Sequence, residues 1–575
     1  MEKNKTCFPL GSYEDVLDWK CNDVCWAEKV IQIKARTSYC HKSYGCLKSY
    51  NPVNNKLVPF EKMKRNLVPK TLVCHDMKGG YLDDRFVDDT EVTNPYRFFH
   101  WSSIDVFVYF SHHLVTIPPI GWINSGHLHG VKVLGTFITE SESGREICER
   151  ILESKQQTRV FSKKLAEICY HYGFDGYLIN IENKINERSM NDLVGLVKML
   201  KQDLKNLCGK RETLVIWYDS VIIPSGELKW QNKLNQHNKA FFDVCDGIYL
   251  NYSWSEDDLI ESLECAGPRK KDVFVGVDVF GRNCFGGGGF NTDIALEVIR
   301  SFGFSSAIFA PGWTHELQTE GFKEDFLNRE YVFWRKLWQN LYVYGHSTLP
   351  FRTTFCQGFG DYRFKEGNVC AEVPWFNLSK QNIQPSCVSC IHNTKTRSLS
   401  NDPMCISLCT DKAYEGGSCI KLSSCNLGAS FYRLLACDLS GPNGDNVFYI
   451  TIAYQFLQDG KFNLIFLTEE KEVIEKKDIL KCAKSEVDIT KDNLTVSVIS
   501  FRQKGIIDFE EMSKKNVDHL NGWRKRTYKL KHEEDMSIRE ICFKSSDNCV
   551  FLLGMMDIYS GRLKQNTYEY LHSLS

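Results

Sequence analysis

The chain has 575 residues, enough for two to four domains of ordinary size, and its 71 lysines and arginines nearly balance 72 aspartates and glutamates. So even a balance supplies no field to hold nucleic acid or an anionic membrane, and it suits a neutral or zwitterionic ligand. Aromatic residues make up 13% of the chain, with 12 Trp and 25 Tyr, and aromatic faces suit the C–H faces of sugars.

The opening stretch, MEKNKTCFPLGSYEDVL, holds no apolar run of the kind a secretory leader needs, and no later stretch is long and apolar enough to span a bilayer. The expectation is a soluble cytoplasmic protein of the cytosol whose 24 cysteines are mostly thiols. Residues 1–65 are irregular apart from a short helix at Tyr13–Trp19, and read as an N-terminal leader packing on the domain after it.

From about residue 70 short apolar runs alternate with longer helical segments, the pattern of βα units on a parallel sheet. Eight runs are expected as strands: Leu72–Met77, Ile104–Phe110, Val131–Phe137, Asp175–Glu182, Thr213–Asp219, Gly247–Tyr252, Val273–Phe280 and Ser306–Pro311. Phe161–Tyr172 and Met190–Leu207 carry apolar residues at helical spacing and belong to an outer ring. The count and length predict the α/β class, with a (β/α)8 TIM barrel over 66–345. An open doubly wound sheet fits less well, since no phosphate-binding glycine fingerprint is present. Beyond it, 346–575 turns to alternating stretches, among them Asn446–Leu457, Lys461–Leu467, Asn493–Ser500 and Cys549–Ser560. These predict a β-rich C-terminal region of one or two β-sandwich modules, with Glu469–Cys482 as a candidate short helix.

Polar and aromatic residues gather at the C-terminal ends of the eight runs, where barrels build their sites: His75, Tyr109, Glu140, Asn180, Glu182, Tyr218, Asn251, Trp254, Asp278 and Trp313. The fourth run is the most informative. As a strand it sets Tyr177, Ile179 and Ile181 on one face, and Leu178, Asn180 and Glu182 on the other. Asn180 and Glu182 then stand roughly 6.5–7 Å apart along the chain, suited to two neighbouring points of one substrate. Glycosidases generally use two carboxyls, and this strand offers one beside a carboxamide. A substrate with a 2-acetamido group can supply its own carbonyl oxygen as nucleophile, and an asparagine can orient that amide. Three alternatives stay open: a structural pair capping the rim, a glycan-binding barrel without turnover, and a second carboxylate from Asp278 or Asp219. Asp219 and Tyr218 have opposite parity and cannot both face the lumen of a regular strand.

Cys387, Cys390, Cys405 and Cys409 have partial metal-ligand spacing, and His112, His113, His127 and His129 repeat on no helix face, so no metal and no cofactor is expected. Gly286–Gly289 lacks the Lys-Ser/Thr of a phosphate cradle and reads as a flexible loop at the barrel mouth.

Longer stretches resemble the cytosolic endo-β-N-acetylglucosaminidases of glycoside hydrolase family 85. They are Leu72-Val-Cys-His-Asp-Met-Lys-Gly-Gly-Tyr-Leu-Asp-Asp-Arg-Phe86, Ile104-Asp-Val-Phe-Val-Tyr-Phe-Ser-His-His113, Val133-Leu-Gly-Thr-Phe-Ile-Thr-Glu140, Asp175-Gly-Tyr-Leu-Ile-Asn-Ile-Glu182, Trp217-Tyr-Asp-Ser-Val221 and Asn251-Tyr-Ser-Trp254. The resemblance implies hydrolysis between the two core N-acetylglucosamines of N-glycans, through an oxazoline intermediate, with transglycosylation as a side activity. It implies Glu182 as acid and base, Asn180 as holder of the acetamido N–H and Tyr218 as a contact to the same group. Trp254 and Trp230 are implied to shape the sugar site. N-glycans of glycoproteins, glycopeptides or free oligosaccharides are the implied partners, and the sequence leaves protein partners open.

Overall fold

The structure, a computed structural model, describes residues 5–21, 26–42, 50–51, 56–57, 63–93, 95–317, 325–386, 404–424, 432–441, 446–470, 485–500, 506–512, 517–518, 521–532, 536–545 and 548–561. The chain divides into two compact units that are discontinuous in sequence. The first comprises Met1–Ile33, Asn66–Asp89 and Ile104–Leu341. The second comprises Lys34–Arg65, Thr90–Ser103 and Tyr342–Ser575. Residues 1–65, expected as one leader, are thus shared between the two.

All eight expected runs of the first unit are strands: β1 (Thr71–His75), β2 (Val106–Tyr109), β3 (Lys132–Glu140), β4 (Gly176–Glu182), β5 (Leu214–Tyr218), β6 (Gly247–Leu250), β7 (Val273–Asp278) and β8 (Ser305–Phe309). Each pairs in parallel with its neighbours in chain order, and β8 pairs back to β1, which closes a barrel. Inside, Leu72, Cys74, Val108, Leu134, Ile138, Leu178, Ile216, Tyr249, Phe274 and Ala307 form one buried cluster. These residues fix the parity of every strand, because successive side chains alternate between lumen and outer face.

Around the strands run α1 (Tyr13–Asp18), α2 (Ile120–Leu128), α3 (Ser141–Leu152), α4 (Lys155–Tyr172), α5 (Met190–Cys208), α6 (Lys239–Val244), α7 (Glu256–Ala266) and α8 (Thr292–Phe302). Ser154 starts α4 by accepting from the Gln157 N–H, and Gly173 ends it in the left-handed conformation at φ 77°. The chain then enters β4. Outward-facing Tyr177 donates to the Leu165 carbonyl of α4 at 2.8 Å, which binds helix to strand.

In the second unit, Arg36–Lys42 pairs antiparallel with Tyr342–His346 inside one eight-stranded sheet. In a second sheet, Val447–Gln458 lies between Arg524–His532 and Val550–Ser560. Phe462 of the first sheet stacks on Phe551 of the second with centroids 4.1 Å apart, the facing contact of a sandwich. The expected helix 469–482 falls largely outside the described residues, and its first two residues, Glu469 and Glu470, end a strand. Cys387, Cys390 and the Cys405 side chain also lie outside them, while Cys409 sits opposite Cys419 on an antiparallel pair. Among the described residues no group of three metal-ligating side chains forms, and no helix is long and apolar enough to cross a membrane.

The entry to β4 is held by a buried pair. Asp175 Oδ2 lies 2.8 Å from His127 Nε2 and accepts the Val133 N–H at 2.9 Å, and His127 Nδ1 lies 2.7 Å from the Ile31 carbonyl. Both side chains are almost wholly excluded from water. Replacing Asp175 with Ala strands the imidazole and an amide, so Asp175→Ala is expected to lower unfolding free energy by about 3–5 kcal/mol in urea titrations. A loss below about 1 kcal/mol, the size of one ordinary hydrogen bond, would contradict this role.

Candidate active site

Parity brings Asn180 and Glu182 together at the C-terminal mouth of the barrel. Leu178 faces the lumen, so the side chains two and four residues on do as well. Asn180 is buried and its Nδ2 donates to Glu182 Oε2 at 3.0 Å. Burial pushes the Glu182 carboxyl above its ordinary range, and the hydrogen bond from Asn180 opposes that rise. Nearby Glu140 raises it further, while the Trp230 N–H and His112 pull it back. Glu140 is the register partner of Glu182 on β3 and has lumen parity. His112 Nδ1 lies 3.2 Å from both Glu140 oxygens, which makes a second polar pair beside the first.

The next strand supplies Tyr218, buried at the lumen end of β5. Its hydroxyl donates to Asn251 Oδ1 at 2.8 Å, and Asn251 Nδ2 donates to Asn232 Oδ1 at 2.8 Å. Asn232 belongs to a loop that also carries Trp230, and that loop is pinned from below by Asp219. Asp219 Oδ2 accepts the Gln231 and Asn232 N–H groups at 2.9 and 2.7 Å, and Oδ1 accepts Asn238 Nδ2 at 3.0 Å. Full burial pushes the Asp219 carboxyl up to about 6 despite these donors. Trp230, 44% exposed, reaches back over the mouth and its Nε1 donates to Glu182 Oε1 at 3.3 Å. Asp219 thereby supports both the indole on Glu182 and the chain of amides that holds Tyr218.

The remaining candidates are set differently. His75 and Tyr109 have outward parity and pack with Phe107 and Trp122 between the strands and α2. Burial holds the His75 imidazole down at about 3, and the Tyr109 hydroxyl donates to Asp84 at 2.8 Å. Trp254 is buried, stacked on Phe285 at 4.7 Å, with its N–H on the Gly276 carbonyl at 2.8 Å. Asp278 has lumen parity, but its carboxylate is occupied by Arg282 Nε at 2.7 Å and by the Phe280 and Arg282 N–H groups. Trp313 is half-buried against Phe290, centroids 5.1 Å apart. Sequence reasoning did not rank Arg282, Tyr252, Phe309 or Asn232. Tyr252 and Phe309 face each other at 5.5 Å beside Tyr218 and Tyr249, making the lumen top strongly aromatic. The parity of β8, with Ala307 inside, would have found Phe309.

The sequence model described as glycosyl hydrolase family 85 matches residues 81–363. The human cytosolic endo-beta-N-acetylglucosaminidase is 49% identical over 319 residues, covering 55% of this chain and 42% of that protein. The protein of the same name from Danio rerio is 43% identical over 417 residues, covering 72% of this chain and 53% of its own length. The chain therefore spans about half the length of these curated relatives. The crystal structure of the glycoside hydrolase domain of Endo-D from Streptococcus pneumoniae superposes with a TM-score of 0.65 at 16% identity, covering 97% of this chain and 83% of that one, which speaks for the fold. Asn180, Glu182 and Tyr218 all lie inside the stretch 81–363 that is similar to glycosyl hydrolase family 85.

Proposed function

We propose that the chain is an endo-β-N-acetylglucosaminidase that hydrolyses the β-1,4 bond between the two core N-acetylglucosamines of N-glycans, on glycoproteins, glycopeptides or free oligosaccharides. The observation that carries the reading is the Asn180–Glu182 pair, one carboxyl and one carboxamide 3.0 Å apart at the lumen mouth. The relatives' name supports it, as does their designation as cytosolic, which also suits buried thiols such as Cys74, Cys169 and Cys245.

Glu182 protonates the leaving sugar oxygen, and its raised pKa keeps the proton available towards neutral pH. With Asn180 Nδ2 held on Glu182, the carboxamide oxygen is left to accept the acetamido N–H. That orients the substrate's carbonyl oxygen for attack on the anomeric carbon, giving an oxazoline and then, with Glu182 as base towards water, a product of retained configuration. Tyr218 contacts the same acetamido group, its ring fixed through Asn251. An intermediate that waits for water also accepts a sugar hydroxyl, so transglycosylation accompanies hydrolysis.

A second reading has one observation in its favour. Glu140 is a lumen-facing carboxylate in register with Glu182 and could act as the nucleophile of a two-carboxylate glycosidase. Asp219 and Asp278 are less suited, since outer donors hold the first and Arg282 the second.

Mixing the protein with a high-mannose glycopeptide and weighing both products tests the bond cut: one N-acetylglucosamine should remain on the peptide. An intact glycopeptide that nevertheless binds would instead identify a glycan-binding barrel. Glu182→Gln is expected to slow release by about 10²–10⁴-fold, the usual contribution of general acid–base catalysis. Asn180→Ala should lose hydrolysis of the intact glycan yet still consume an added sugar oxazoline, and failure to use any oxazoline would count against the assisted route. Glu140→Gln separates the two readings. Without the Glu140 charge the Glu182 pKa falls, so the alkaline limb of kcat/KM moves to lower pH while turnover persists. Abolition of turnover at every pH would favour Glu140 as nucleophile.

A further inference from the structure

At the opposite end of β4 from the site, two cysteines and an arginine form a cluster that the proposed glycosidase chemistry does not use. Cys169 lies in the last turn of α4, Cys208 is the last residue of α5, and Arg211 lies in the turn before β5. Arg211 Nη2 donates to Cys208 Sγ at 3.1 Å and to the Cys169 carbonyl at 3.4 Å. The Arg211 Nε–H is buried and meets no protein acceptor. Cys169 is fully buried, its Sγ donating to the Phe174 carbonyl at 3.0 Å, whereas Cys208 is partly open to solvent.

We propose that Cys208 and Cys169 form a thiol-oxidation site in which Cys208, activated by Arg211, reacts with hydrogen peroxide and Cys169 closes the pair as a disulfide. The Arg211 guanidinium touches both residues, Cys208 through its sulfur and Cys169 through its carbonyl. Hydrogen bonding to Cys169 and the Arg211 guanidinium bring the Cys208 thiol down to about 6, against burial and the like charge of Asp175. Burial keeps Cys169 protonated, the form a resolving thiol should have at rest. In the first step the Cys208 thiolate attacks one peroxide oxygen, the O–O bond breaks, and a sulfenic acid and hydroxide result. In the second, the Cys169 sulfur attacks the Cys208 sulfur and displaces hydroxide, which takes the Cys169 proton and leaves as water. Two thiols lose two electrons in all and one peroxide becomes two waters. The disulfide would join the ends of α4 and α5, the helices before and after the strand that carries Asn180 and Glu182.

The test uses the intact protein. Peroxide treatment followed by blocking and peptide mass analysis is expected to yield a Cys169–Cys208 linked peptide, with exposed Cys21 and Cys370 as internal controls. Alkylation of Cys208 by iodoacetamide should follow a titration with a midpoint near 6. At pH 6 the gain in thiolate outweighs the lower nucleophilicity, so Cys208 should react roughly tenfold faster than Cys370. Arg211→Gln should remove that advantage, and Cys169→Ser should leave Cys208 as a sulfenic acid trapped by dimedone. Absence of the linked peptide in the wild-type protein overturns the proposal. So does a Cys208 rate equal to that of the exposed cysteines, a readout that needs no variant to fold.

Discussion

The register of β4 is the constraint on which the site depends. Its first residue, Gly176, has φ 124°, and a Cβ there would lie 1.9 Å from the Leu214 carbonyl oxygen. The preceding Asp175 fastens the entry on one side through the Val133 N–H and carbonyl and on the other through the Leu214 N–H. With the entry fixed, parity decides the rest: Leu178, Asn180 and Glu182 point inward, while Tyr177 points to α4. A slip of one residue would turn the carboxamide and carboxylate against helices, unpaired, at a cost of several kcal/mol.

The neighbouring strand uses the same alternation to divide labour between adjacent residues. Tyr218 enters the lumen, and Asp219, one residue on, points outward to bind the backbone of the loop that returns over the mouth. A buried carboxylate with three donors is a rigid anchor, so a loop that is long in sequence behaves locally as part of the scaffold. The charge environment of Glu182 is composed in a similar way, burial and Glu140 acting in one direction and Asn180, Trp230 and His112 in the other.

Strand count, closure and the parity of Asn180 and Glu182 were legible because apolar alternation records them locally. Parity was also the missing step for His75 and Tyr109: with Leu72, Cys74, Val106 and Val108 inside, both must point out to α2. Position at a strand end placed them near the mouth without saying which face they took. Trp254, whose place at the sugar site is implied by the resemblance alone, is buried with its N–H on the Gly276 carbonyl, an acceptor that local patterning does not report. The sharing of 1–65 between two units was beyond local patterning, since the pairing of Cys40 with Tyr344 joins residues some three hundred apart.

Both ends of β4 therefore carry polar chemistry, and the strand's own geometry keeps the two apart. At the mouth, burial raises the Glu182 carboxyl above its ordinary range. At the entry, Asp175 adds negative charge beside the thiols, and the Arg211 guanidinium offsets it at Cys208. The seven residues of β4 separate the ends by roughly 20 Å, where two unit charges interact by about 0.8 kcal/mol at an effective dielectric of about 20. A stronger influence of the entry on the mouth passes mechanically, through the register that Asp175 and Gly176 set.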